Sequence, residues 1–192
     1  MSKLKFLLSA FIVLGTVAIA VGQMPSPPPA KTPGEALKFD LGIVQQEFTS
    51  AAEAMPEDKY SFAPTNGDFK GVRTFAQQVK HVAAANYMFG AGVLGEKPPV
   101  ELGGENGPDS LKTKADILKF LSDSFTYLNK ALESVTTQNQ LDQIDSPFGM
   151  KVSRLSLASF SLAHPFDHYG QMVEYLRMNE IVPPASRPRP GK

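Results

Sequence analysis

The chain has 192 residues, of which 42% are hydrophobic, and its 19 lysines and arginines are balanced by 19 acidic residues. A chain of this length and apolar content can bury its own core, so we expect one folded domain. The balanced charge, with no basic stripe or dense charge run, predicts neither nucleic acid nor an anionic membrane surface as a partner. The absence of cysteine excludes disulfides, thiolate metal ligands, cysteine nucleophiles and lipoprotein attachment.

The first 22 residues have the pattern of a secretory signal peptide. Lys3 and Lys5 begin it, an apolar stretch follows from Phe6 to Val21, and small residues near Ala20 offer a cleavage site. An uncleaved membrane anchor is the alternative, although the stretch is short for a span of about 20 residues. With cleavage, we expect an exported protein, periplasmic or extracellular, that has no contact with the membrane.

Four segments with the spacing of amphipathic helices follow a proline-rich linker at residues 23–33. The first predicted helix begins at the capping pattern of Thr32, Pro33 and Glu35, and the second runs from about Phe69 to about Phe89. The third begins at Ser110 or Thr113 and ends near Val135, and the fourth runs from about Val152 to about Asn179. Residues 90–109 are long and rich in glycine and proline, which predicts a crossover between helices two and three. We therefore expect an all-α four-helix bundle over residues 34–184 and a disordered tail at residues 185–192.

All three histidines of the chain lie at positions from which they could coordinate one metal ion. His164 and His168 are four residues apart on the fourth predicted helix, so their side chains project from one face. His81 lies in the second helix, off its main apolar stripe and away from Arg73 and Lys80, which are predicted to mark the solvent side. Three neutral imidazoles leave coordination positions open, as in catalytic centres, and they suit zinc, nickel or iron. A hydrogen-bonded structural role for each histidine is the alternative.

The fourth helix is predicted to be buried around most of its circumference, because it carries two apolar sectors about half a turn apart. The first sector contains Leu155, Leu162, Phe166, Tyr169, Val173 and Leu176, and the second contains Leu157, Phe160, His164, His168, Gln171 and Tyr175. Asp167 projects from the remaining solvent-facing strip, which makes it a poor third ligand.

Three further residues are candidates for the surroundings of the site. Gln171 is expected to face the interior and to orient a ligand or substrate, or else to make a simple hydrogen bond between helices. Tyr60 and Tyr175 are candidates for a general base, with a structural role as the alternative for each.

Two segments resemble the DinB/YfiT superfamily of metal-dependent helical proteins. They are the final helix from His164 to Arg177 and the stretch from Gln77 to Asn86, which contains the histidine of helix two. The resemblance extends over about residues 34–184 and implies a DinB-like four-helix domain in which the three histidines are divalent-metal ligands. Similar members include thiol-dependent transferases and isomerases, so the analogy of fold leaves the reaction open.

The chain departs from this family pattern at two points. Pro165 removes a helical hydrogen bond to Ser161 and predicts a kink between the paired histidines. The export signal is the second departure, because the thiol cofactors of such relatives are cytoplasmic.

We expect an exported, metal-dependent hydrolase or transferase that acts on a small molecule and uses its ion to polarise a bound oxygen. The alternative is a non-enzymatic exported module that binds a metal or small ligand, or that forms a homodimer through a helix face. Imidazole ligands with an ordinary pKa would bind metal more weakly below about pH 6.5.

Overall fold

The computed structural model describes residues 28–188, and four long helices dominate it. These helices are α1, Pro33–Ala54; α2, Phe75–Leu94; α3, Lys114–Glu133; and α4, Arg154–Met178. An antiparallel hairpin of β1, Gln143–Asp145, and β2, Lys151–Ser153, lies between α3 and α4, and 3₁₀ turns cover Glu57–Lys59 and Pro184–Ser186. The predicted all-α four-helix bundle is confirmed, and the hairpin, with three residues in each strand, is the only strand pairing longer than one bridge within residues 28–188.

The two ends of the chain fall partly outside the described residues. The predicted signal peptide and residues 23–27 of the predicted linker lie there, as do residues 189–192 of the predicted tail. Ala185 belongs to the second 3₁₀ turn rather than to a disordered tail. Between residues 28 and 188, no helix has both the length and the apolar character that a membrane span needs.

Each long helix begins at a hydroxyl side chain that accepts a hydrogen bond from a backbone N–H of the first turn. In α2 this cap is a reciprocal box between Thr74 and Gln77. The predicted start of helix two at Phe69 is therefore wrong. Val72, which fits the apolar stripe by spacing, lies before the cap and is 37% exposed.

The end of α2 also differs from the prediction, which placed Gly90 in the crossover. The helix continues to Leu94 and ends at Gly95, whose φ of 74° only glycine adopts readily. Gly90 serves close packing, because a Cβ there would lie 2.9 Å from the ring of Tyr127 on α3. The sequence alone does not distinguish a glycine that allows a neighbouring helix to pack closely from a glycine that ends a helix.

The four helices form a ring in which α2 and α1 each pack against both α3 and α4. The backbone N–H of Ala76 donates to the carbonyl of Tyr60, so α2 begins where α1 ends. Lys114, the first residue of α3, donates through Nζ to the carbonyl of Met55 at that same end. Therefore α2 and α3 run parallel, and the connection between them must return along the whole bundle. The predicted crossover is confirmed.

The backbone carbonyls of the crossover, residues 96–113, accept hydrogen bonds from side chains in α2 and just before it. Lys80 Nζ donates to the carbonyl of Pro108 at 2.9 Å, and Arg73 donates to that of Glu105 at 3.3 Å. The prediction that Lys80 marks a solvent side is wrong, because the crossover covers this lysine and leaves it 7% exposed.

One face of α4 is buried, rather than two separate sectors. Its buried residues are Leu157, Ala158, Ser161, Leu162, Pro165, His168, Met172, Tyr175 and Leu176. This face lies between the two predicted stripes, so only the inner members of each stripe are covered. Phe160 and Phe166 stand at its outer margins and are 44% and 42% exposed.

Gly34 and Gly42 of α1 provide a matched test of this packing. A Cβ on Gly34 would lie 2.5 Å from the carbonyl oxygen of Leu132 and 2.8 Å from that of Val135, whereas one on Gly42 would meet nothing within 4 Å. Gly34→Ala should lower the free energy of unfolding by about 1–3 kcal/mol. Gly42→Ala should raise it by about 0.5–1 kcal/mol, because alanine is the better helix former. Denaturant unfolding measures both, and a stabilising Gly34→Ala would contradict the contact between α1 and the end of α3.

Candidate metal centre

The three predicted ligands converge where α2 packs against α4. The ring centroid of His81 lies 5.1 Å from that of His164 and 4.7 Å from that of His168, and the latter two are 4.6 Å apart. One nitrogen of each ring lies within 4.8 Å of the others. Pro165 sits inside a helix that is continuous from Arg154 to Met178, so it does not separate the paired histidines.

The spacing of the ring nitrogens suits a shared ion. His81 Nε2 and His164 Nε2 are 3.2 Å apart. Two imidazole nitrogens that bind one tetrahedral ion at about 2.0–2.1 Å lie roughly 3.3 Å from each other. A direct hydrogen bond between the two rings also fits this distance. That bond would not involve His168, whereas an ion would engage all three rings.

Hydrogen bonds to the outer nitrogens set the tautomers of two rings. His81 Nδ1 donates to the backbone carbonyl of Glu105 at 2.6 Å, and His168 Nδ1 donates to Oε1 of Gln78 at 2.7 Å. A neutral ring that carries its proton on Nδ1 presents a lone pair at Nε2, the form that binds metal. The Nδ1 of His164 is buried and has no partner among the described residues.

A chain of amides links His168 to the surface. Gln78, which is 1% exposed, donates from Nε2 to Oε1 of Gln171 at 2.8 Å, and Gln171 donates to Asp167 Oδ2 at 3.2 Å. Gln171 itself is exposed rather than facing the interior, and it makes the interhelical hydrogen bond that was its alternative reading. Asp167 is exposed, as its position on the predicted solvent strip indicated.

Tyr60 and Tyr175 both have structural hydrogen bonds. Tyr60 donates to the carbonyl of Ala52 at 2.7 Å, and burial, together with nearby glutamates, raises the pKa of its phenol well above the usual value. Tyr175 donates to the carbonyl of Arg73 at 3.1 Å. Both phenol hydroxyls are therefore engaged with backbone carbonyls.

Burial keeps the three imidazoles neutral. It is the largest cause that lowers the pKa of each ring, and the Arg73 guanidinium acts in the same direction on all three. Neighbouring imidazoles lower the pKa of His164 and His168 further, whereas Glu105 raises that of His81. The pKa of His164 falls to about 3 and that of His168 to about 4. Neutral rings are the form that metal binding requires, so competition from protons sets in at a lower pH than ordinary imidazoles predict.

The surroundings of the triad are mostly apolar. Phe89, Phe148 and Phe160 form an aromatic cluster, in which Phe89 and Phe160 lie 5.4 and 6.4 Å from the ring of His164. A groove of about 390 Å³ is lined by His81, by other residues of α2 and by the crossover.

Sequence reasoning missed three parts of the site. Gln78 shares a helix face with His81, which was a usable signal for its role. The carbonyl of Glu105 is a backbone group and carries no signal in the sequence. The aromatic cluster depends on the hairpin that carries Phe148, which the sequence pattern did not predict.

Comparison with known proteins places these features in context. The sequence profile described as the DinB superfamily matches residues 40–172. No curated protein sequence matches the chain significantly. A DinB-like protein from Bacillus cereus has a TM-score of 0.62 at 16% identity, with 78% of this chain and 95% of that one covered. A DinB-like protein from Bacillus subtilis has a TM-score of 0.59 at 18% identity, with coverages of 76% and 92%.

A more distant structural neighbour is a mycothiol-dependent maleylpyruvate isomerase. It has a TM-score of 0.54 at 13% identity, and the match covers 73% of this chain and 60% of the isomerase. At such identities the likeness to all three structures shows a common fold and transfers no activity.

The lowered pKa values predict how the stability of the metal-free protein depends on pH. The imidazoles of the unfolded chain have a pKa near 6.5, so below that pH the unfolded state binds more protons than the folded state does. The free energy of unfolding should therefore fall between about pH 6.5 and 5, by roughly 1–2 kcal/mol from His164 alone. Denaturant unfolding in the presence of a chelator measures this. His164→Gln should show a shallower dependence, and equal slopes in the two proteins would contradict the burial of that ring.

Proposed function

The chain belongs to the DinB superfamily, and from that premise we propose that it is a metal-dependent hydrolase or transferase acting on a small molecule. His81, His164 and His168 would hold one divalent ion. The proposal rests on the convergence of three imidazoles from two helices. One nitrogen of each ring lies within 4.8 Å of the others, and two of these nitrogens are 3.2 Å apart. Zinc, nickel and iron all suit such a donor set.

The residues of the chain have defined tasks in this proposal. The carbonyl of Glu105 and the amide of Gln78 hold two rings in the tautomer that presents Nε2. The ring of Phe89, packed edge-on at 5.4 Å, shields His164 from water on one side. When bound, a divalent ion would supply Lewis acidity, which polarises a substrate oxygen or acidifies water.

Access to the site supports catalysis over a purely structural metal. A structural ion is enclosed by four protein ligands, whereas the described residues provide three histidines, and an open groove borders one of them, His81. The rival function, a non-catalytic module that binds a metal or ligand, would use the same residues. It predicts metal binding without turnover of any small molecule.

Export is a further part of the proposal, and it rests on the signal-like pattern of the first 22 residues. An exported location disfavours transfer of cytoplasmic thiol cofactors, so hydrolysis is the preferred reaction class. N-terminal sequencing of the protein recovered from its natural compartment would settle whether the segment is removed.

The proposal predicts a specific pattern of zinc affinities. Replacing any one of His81, His164 and His168 with alanine should weaken zinc binding by at least roughly 100-fold, because loss of a ligand exceeds the 10–100-fold effect of outer-shell partners. Asp167→Ala is the control, since this exposed carboxylate neighbours His168 in sequence but reaches it only through two intervening amides, Gln171 and Gln78. Its affinity should stay within about threefold of the parent. Titration calorimetry on protein made without a histidine tag measures both.

Full zinc affinity in His81→Ala would refute the three-histidine ligand set, and so would its loss in Asp167→Ala. If all three histidine variants lose zinc, a screen of hydrolase and transferase substrates decides between the enzyme and the rival module. The screen should compare the zinc-loaded protein with a chelated sample. Turnover that disappears with the chelator and with His168→Ala is the result we expect.

A further inference from the structure

The groove beside His81 has an apolar floor. His81, Ala84, Ala85 and Met88 stand at positions i, i+3, i+4 and i+7 of α2, so they form one stripe along a single helix face. Leu102 and the backbone of the crossover form the opposite wall. A molecule in the groove would therefore meet small aliphatic side chains along its length and an imidazole of the triad at one border.

The wall formed by the crossover is held in place rather than loosely apposed. The carbonyl of Glu105 accepts hydrogen bonds from His81 and Arg73, and its carboxylate pairs with the Arg73 guanidinium at 3.0 Å. Lys80 anchors the same segment through Pro108. A groove with both walls fixed is a pre-formed pocket, and its volume of about 390 Å³ is near the lower end of the usual range for small-molecule sites.

Charge at the triad favours a negative or strongly polarised oxygen. Three neutral imidazoles would leave the positive charge of a divalent ion uncompensated. Two carboxylates act in the opposite direction, Glu105 on His81 and Asp167 on His164. Both are exposed, so water screens their charge. The Arg73 guanidinium adds positive potential at all three rings.

These observations concern the same site as the proposed function, and the inference rests on it. We propose that the substrate is a small molecule in which an apolar chain or ring is joined to an anionic or polarised oxygen group. The apolar part would lie against Ala84, Ala85, Met88 and Leu102, and the oxygen group would reach the triad beside His81. Apolar contact in the groove then contributes affinity, while the triad acts on the oxygen group.

A series of straight-chain hydroxamates tests this inference, because each has the same metal-binding head and differs only in apolar length. Affinity for the zinc-loaded protein, measured by titration calorimetry, should rise roughly three- to fourfold for each added methylene from acetohydroxamate to hexanohydroxamate. Met88→Gln keeps the length of the side chain but makes it polar, and should reduce the gain to under about twofold per methylene. Leu102→Gln, on the opposite wall, should do the same.

Met178→Gln is the matched control, because this methionine is 51% exposed at the end of α4 and lies outside the groove. It should keep the full dependence on chain length. Affinity for zinc should stay within about threefold of the parent in all three variants, because none of the three residues is a proposed ligand, and Met178→Gln should also keep the parent's affinity for acetohydroxamate.

The outcomes separate the two proposals. If the zinc-loaded protein binds acetohydroxamate but gains nothing with chain length, the apolar groove is not the substrate pocket and the metal site stands. If chain length matters equally in Met88→Gln, Leu102→Gln and the parent, the apolar part binds elsewhere and the inference is overturned. If zinc does not bind, or acetohydroxamate binds equally with and without it, both proposals fall.

Discussion

The packing of three imidazole rings between two helices is the constraint on which this part of the molecule depends, with His168 buried and His81 and His164 half-buried. An imidazole removed from water is destabilising unless its nitrogens find partners. Here α2 supplies the amide of Gln78 to one ring, the crossover supplies the carbonyl of Glu105 to another, and the rings themselves lie within contact of each other. The Nδ1 of His164 is buried and has no hydrogen-bond partner among the described residues.

The topology of the bundle supplies what the site needs. Because α2 and α3 run parallel, residues 96–113 must travel back along the bundle, and they do so across the face of α2 that carries His81. The same segment covers Lys80, orients His81 and walls the groove. A tight α2–α3 turn would remove all three contributions at once. The crossover thus shapes the candidate site as well as connecting two helices.

The sequence predicted what depends on spacing and failed where tertiary contact decides. Helical periodicity and caps such as Thr32 and Thr113 identified the four helices, and the i, i+4 rule placed His164 and His168 together. Long-range packing could not be foreseen. Periodicity does not reveal that Gly90 makes room for the ring of Tyr127 or that the crossover buries Lys80. It also does not reveal that the buried face of α4 lies between its two apolar stripes. Contacts made by backbone carbonyls, such as that of Glu105, leave no trace in residue type.

X-ray absorption at the zinc edge of the stoichiometrically loaded protein tests the central claim most directly, because it counts the imidazoles around the ion. Three histidine ligands at about 2.0–2.1 Å, completed by a light oxygen donor, is the result we predict. The imidazole count should drop to two in His81→Ala. A first shell with fewer than two imidazoles, or one unchanged by that substitution, would contradict a metal centre built from α2 and α4.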